Sequence, residues 1–169
     1  MIAAQNAEFL EYNDIVPAFV PIDMETGANN GQWINMKFIE RLVCVLFKAA
    51  GTASDDPVFT LKQALTSSGG TPKALNFTRI RQKIGAIAST NQWTIITQAA
   101  AGTYTPTSAA SQAVIAVEVG AHMLDVNNNY NYVQMSIPDT GSAGAQLGCG
   151  FYIAAGLKYA QSICPNLLA

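Results

Sequence analysis

AVIAVEVGAHMLDVNNNYNYVQMSIP, residues 113–138, carries the pattern that decides the fold. In its first part Ile115, Val117 and Val119 share one face while Glu118 lies on the other. After an Asn-rich break, Val133, Met135 and Ile137 share a face opposite Gln134 and Ser136. Successive side chains of a strand point to opposite faces, so this period of two predicts sheet with one wet side.

The same rhythm extends outward in both directions. Candidate strands fall at residues 32–37, 41–48, 58–64, 75–84, 92–98, 113–119, 132–137 and 145–154. Between them, residues 51–57, 67–72, 100–111, 127–131 and 138–144 are rich in Gly, Pro, Ser, Asn and Asp, which favour turns. Short strands punctuated this regularly predict an all-β, antiparallel sandwich, jelly-roll-like from a count of about eight strands. Residues 38–46, near the start of that stretch, and 121–126 could instead form short helices.

Ahead of the first turn, ETGANNG at 25–31, runs an apolar segment with Pro17 and Pro21, whose rings disfavour helix. It is expected to be extended, lying along its own domain as an edge strand or reaching onto a neighbour. The expected organisation is an extended N-terminal arm at 1–22, a sandwich domain at 23–160 and a C-terminal tail at 161–169. At 169 residues the chain fits one domain, since domains commonly span roughly 100–200 residues.

Hydrophobic residues make up 50% of the chain and charged residues 12%, about half the usual share of roughly 25%. Two readings fit: surface hidden in subunit contacts, or a neutral surface of Asn, Gln, Ser and Thr. A net charge of −2 argues against broad nucleic-acid binding, which needs excess Lys and Arg. The one basic cluster, Arg79, Arg81 and Lys83, reads as alternate positions on one strand face.

Cys44, Cys149 and Cys164 are odd in number and lack metal-like spacing, which implies no obligatory disulfide and a reducing compartment. Residues 1–10 lack the pattern of a secretion signal, and the longest wholly apolar run, 42–47, is too short to span a bilayer. Neither secretion by that route nor membrane insertion is expected.

Chemistry-bearing patterns are scarce. His122 is the single histidine and has no sequence-visible nucleophile beside it. The run DVNNN at 125–129 has alternating oxygen side chains but lacks the Gly and closing Glu of a calcium loop, so it reads as turn chemistry. Gly148 and Gly150 lie inside a candidate strand, where glycine permits close packing or a bulge. Among the aromatics, Tyr130 and Tyr132 in the Asn-rich stretch are the best candidates for surface recognition. No catalytic residue, metal or cofactor is expected.

Two strings carry a resemblance. YNDIVPAFVPIDMETGANNGQWINMKFIERLVCVLFKAAG, residues 12–51, resembles the start of small virion proteins of tailed bacteriophages, and AQLGCGFYIAAGLKYA, residues 145–160, resembles their end. ALNFTRIRQKIGA and AVIAVEVGAHMLDVNNNYNYVQMSIPD are similar in kind, so the likeness covers most of the chain. It implies a virion structural protein, most like a small capsid cement or decoration subunit. The implied partners are copies of itself, as dimer or trimer, and the major capsid protein. The implied location is the capsid exterior, after synthesis in the host cytoplasm. Phe9, Tyr12, Ile15, Val16 and Phe19 are the expected intersubunit anchor, through strand addition to a neighbour. Neck, tail or fibre-base positions are alternative readings, as is a carbohydrate-binding sandwich using Trp33, Trp93, Tyr130 or Tyr132.

Overall fold

The structure is a computed structural model that describes residues 8–89, 92–141 and 144–158. A helical turn, Phe9–Tyr12, leads into β1 (Asn13–Asp23), followed by the two-residue strands β2 (Asn29–Asn30) and β3 (Ile34–Asn35). Next come β4 (Ile39–Lys48), β5 (Phe59–Ala64), β6 (Lys73–Ala74), β7 (Phe77–Ile84), β8 (Thr94–Ala101) and β9 (Thr103–Tyr104). β10 (Ala113–Gly120), β11 (Tyr132–Ile137) and β12 (Leu147–Leu157) complete the set.

These strands form the expected all-β sandwich of two antiparallel sheets. The larger sheet runs β1-β12-β4-β10-β7-β8, and the smaller runs β2-β11-β5-β6 with β3 on β11 and β9 on β5. The alternation sets the core between them. Leu42, Cys44 and Leu46 of β4 and Ile115, Val117 and Val119 of β10 turn inward against Phe59 and Leu61 of β5 and Val133 and Met135 of β11. Of the two possible short helices, the 121–126 stretch holds the 3-10 turn Ala121–Met123 and the start of another, Val126–Asn128. That near the start of 38–46 is reduced to a 3-10 turn, Met36–Phe38, which gives way to β4 at Ile39, where Val43, Val45 and Phe47 complete a strand. β-branched and aromatic side chains suit a pleated surface, and here they outweigh helix propensity. The run expected at 32–37 shrinks to β3 for the same turn.

Three features tie the layers together. The Tyr152 hydroxyl, on β12, accepts from Met135 N at 2.9 Å and donates to Gln32 O at 3.0 Å, so one buried phenol bridges the two sheets. Burial pushes its pKa up. On the same strand, a Cβ at Gly150 would stand 2.4 Å from Met135 Cε and 2.5 Å from Phe19 Cε1. Glycine here opens the slot into which Phe19 folds, and the β1–β12 register shifts on both sides of Phe19. Third, the buried Lys48 Nζ donates to Ser108 O at 2.8 Å, Ala109 O at 3.1 Å and Ser111 O at 2.7 Å. Asp56 Oδ1, half-buried, accepts from Ser108 N and Ala109 N, each at 2.7 Å, so a buried ammonium and a separate carboxylate hold the 105–112 connection through its backbone.

One expectation about β11 is corrected. Gln134 and Ser136 do not face water but are buried at 8% and 3% exposure. The segment around β2 covers them: Gln134 Nε2 donates to Gly31 O at 2.8 Å and Ser136 Oγ to Asn30 Oδ1 at 2.8 Å. Polar side chains stay in the pattern because their partners are built into the neighbouring chain.

Candidate interaction face

The larger sheet turns a second, apolar face outward. Because Leu42, Cys44, Leu46, Tyr152 and Ala154 point into the core, their strand neighbours point away from it. The registers align Ile15, Ile153, Val43 and Glu118 in one row and Pro17, Phe151, Val45, Ala116 and Arg81 in the next. Cys149, Phe47 and Val114 form a third. Ile15 is 52% exposed, Phe47 45% and Leu147 54%. Phe151, Ile153, Val43 and Val114 are half-buried, and Val45 in the middle row is buried at 5% exposure. The sheet therefore carries a continuous apolar band across β1, β12, β4 and β10 on its solvent side.

The sequence held a signal for this band that alternation alone does not decode. The apolar run at 42–47 and the GCGFYIAAG stretch of β12 are hydrophobic at both strand parities. A strand apolar on both faces is covered on both, or offers one face to something else.

The structure divides the five expected anchor residues. Ile15 belongs to the outer band, and Phe9 is exposed on the helical turn. Val16 is buried in the core and Phe19 packs against it in the Gly150 slot, so both serve their own sandwich. Tyr12 is half-buried. The segment from Asn13 is thus the edge strand β1 along its described length, the first of the two fates open to it. Residues 1–7, the tail at 161–169 and Cys164 lie outside the described residues.

Tyr130 is corrected as a recognition residue. It is 8% exposed, with Lys73 Nζ 3.9 Å from its ring centroid. Lys73 also pairs with Asp125, whose carboxylate accepts from Asn128 Nδ2 as well. Asn129 turns through a left-handed φ of 64°. The 125–129 stretch is therefore a locked turn, and its Lys–Asp contact covers Tyr130. Tyr132 is half-buried on β11. Trp93, 49% exposed, precedes β8 in the other sheet, so these aromatics form no common platform. Among the described residues no group of three or more His, Cys, Asp or Glu could hold a metal ion, and no helix is long and apolar enough to cross a membrane.

Toward β7 the outer face becomes charged. Glu118 Oε1 accepts from Arg41 Nη1 at 2.5 Å and Glu118 Oε2 from Arg81 Nη1 at 3.3 Å. The Arg41 hydrogen bond is the main reason its carboxyl is held below the usual 4.5. The bridge is therefore complete above that value and is lost as the pH falls through the lowered pKa.

Two cysteines mark the two faces. Cys44 is fully buried on the inner side, and burial pushes its thiol well up. Cys149 lies half-buried on the outer band, its pKa raised less completely by partial burial. In a Cys164→Ser background, maleimide should label Cys149 slowly in the folded protein and Cys44 only after unfolding. Peptide mass spectrometry checks this, and equal labelling of both in native buffer would contradict the two-face assignment.

Compared with known proteins, the chain matches no protein-family model, and no curated protein matches it at a significant level. Fold and face together define an all-β sandwich whose larger sheet carries an apolar outer band with a charged end.

Proposed function

We propose that the chain is a non-enzymatic structural subunit of a tailed-phage particle, a cement or decoration protein. It packs against the major capsid shell and copies of itself, on the capsid exterior. The observation that carries this reading is the apolar outer band of the larger sheet. Contiguous apolar surface rimmed by polar residues marks protein contacts, and here it occurs in a chain with only 12% charged residues. The resemblance of residues 12–51 and 145–160 to small virion proteins supplies the kind of assembly. On a repeated lattice, modest single contacts add up to firm retention.

Copy number in purified particles tests the proposal, measured by quantitative mass spectrometry against the shell protein. Hundreds of copies in simple ratio to the shell protein are expected. About a dozen or fewer would move the chain to the neck or tail, and absence from particles would overturn the structural reading. The same particles supply a footprint. Cys149 should be protected from maleimide when the subunit is assembled, and labelling as fast as in the free protein would exclude the outer band as the contact.

A further inference from the structure

The chain contains only three arginines, Arg41, Arg79 and Arg81, and one histidine, His122. All four line one open pocket of about 390 Å³ at the charged end of the larger sheet's outer face. They arrive from β4, β7 and the 3-10 turn Ala121–Met123, which places positions far apart in sequence side by side. We propose that this pocket is a carboxylate site, and that it takes an Asp or Glu side chain from a partner protein whose surface is otherwise apolar.

The internal ion pairs leave one guanidinium over. Glu118 bridges Arg41 and Arg81 and so fixes both in place. The Arg79 guanidinium, exposed on β7, has no hydrogen-bond or ion-pair partner among the described residues. The pocket's other carboxylate, Glu40, leans the opposite way, with Oε2 2.9 Å from where a Cβ on Gly156 of β12 would stand. A free, planar guanidinium fork beside a second, oriented one is the geometry that receives a carboxylate through two parallel hydrogen bonds.

The lining carries three guanidiniums against two carboxylates, which leaves about one positive charge to neutralise. That balance suits a single carboxylate better than a doubly charged phosphate, which would also confront Glu118. The location supplies the rest of the partner's chemistry. In the registers Ala116 separates Arg81 from Val45 of the apolar band, so a chain covering the band brings its rim over the arginines. An apolar centre with a charged rim is the ordinary composition of a protein contact. This inference rests on the packing role proposed above, yet the site itself is testable without any particle.

With three arginines, side-chain Nε–Hε resonances assign readily, and they report on the pocket directly. The probe is N-acetyl-glutamate amide, whose side-chain carboxylate is its only charge, titrated at constant ionic strength. Saturable shifts of Arg79 and Arg81 are expected, with none from N-acetyl-glutamine amide. Arg79→Gln should weaken binding about tenfold, the usual size of one charge-assisted pair. Arg79→Lys, which keeps the charge and loses the fork, should recover only part. Equal shifts with the glutamine analogue, or no saturation, would overturn the site, and saturation by inorganic phosphate alone would overturn its assignment to carboxylate. Copy number in particles is read independently, so failure of the site and failure of the virion reading are distinguishable.

Discussion

Deleting residues 1–20 is expected to destroy cooperative folding rather than release a domain that merely fails to bind. The lost segment includes most of β1, which pairs with β12 from Asn13 to Asp23. It also includes Val16 and Ala18, buried at 8% and 5% exposure, and Phe19, seated against Gly150. Burying a Val or Phe side chain contributes about 1.5–3 kcal/mol, so these three together contribute on the order of 5 kcal/mol before the ladder is counted. A domain of this kind has a total stability of roughly 5–15 kcal/mol. The deletion would also leave β12 as a naked edge beside an opened core, which invites aggregation. Circular dichroism and thermal unfolding of the truncated chain check this. A cooperative transition within a few degrees of the full-length protein would return residues 1–20 to the status of a detachable arm. Ile15→Ser is the informative substitution at this edge, because its side chain is exposed on the outer band and its loss should spare the fold.

Lys48→Met is expected to cost about 2 kcal/mol of stability. The substitution keeps the length of the side chain and removes its ammonium. Ser111 O then loses the one donor it has among the described residues, at a position where Lys48 itself is 1% exposed, while Ser108 O keeps the Ser111 N–H at 2.9 Å. Ala109 O is spared, because Gly51 N donates to it at 3.1 Å and Gln146 Nε2 at 3.3 Å. Asp56, half-buried, keeps its two backbone donors. The loss is therefore set by one carbonyl left without a donor and two left with fewer, within the range for unsatisfied buried polar groups. Urea unfolding should show a lower midpoint at an unchanged m-value. A loss below about 1 kcal/mol would mean that the 105–112 connection is held by its own turns and not by the ammonium.

The sequence by itself determined the class of fold and most of the strands. Ile115, Val117 and Val119 against Glu118 is a local pattern, and a local pattern needs no tertiary information to be read. The glycines of β12 were legible for the same reason: a glycine inside a strand announces a close approach, though not that the approaching group is Phe19. Alternation identifies two faces of a strand without saying what covers each. That is why Gln134 and Ser136 read as wet when the β2 segment lies over them, and why the double-sided apolar run at 42–47 did not disclose an outward band. Tyr130, in a polar Asn-rich stretch, read as surface because the lysine that covers it lies 57 residues earlier in the chain. Only the tertiary structure decided the strand order, the docking of β1, the buried role of Lys48 and the gathering of Arg41, Arg79, Arg81 and His122. Each depends on register between strands remote in sequence, and that register is selected by which whole set of side chains can be buried together.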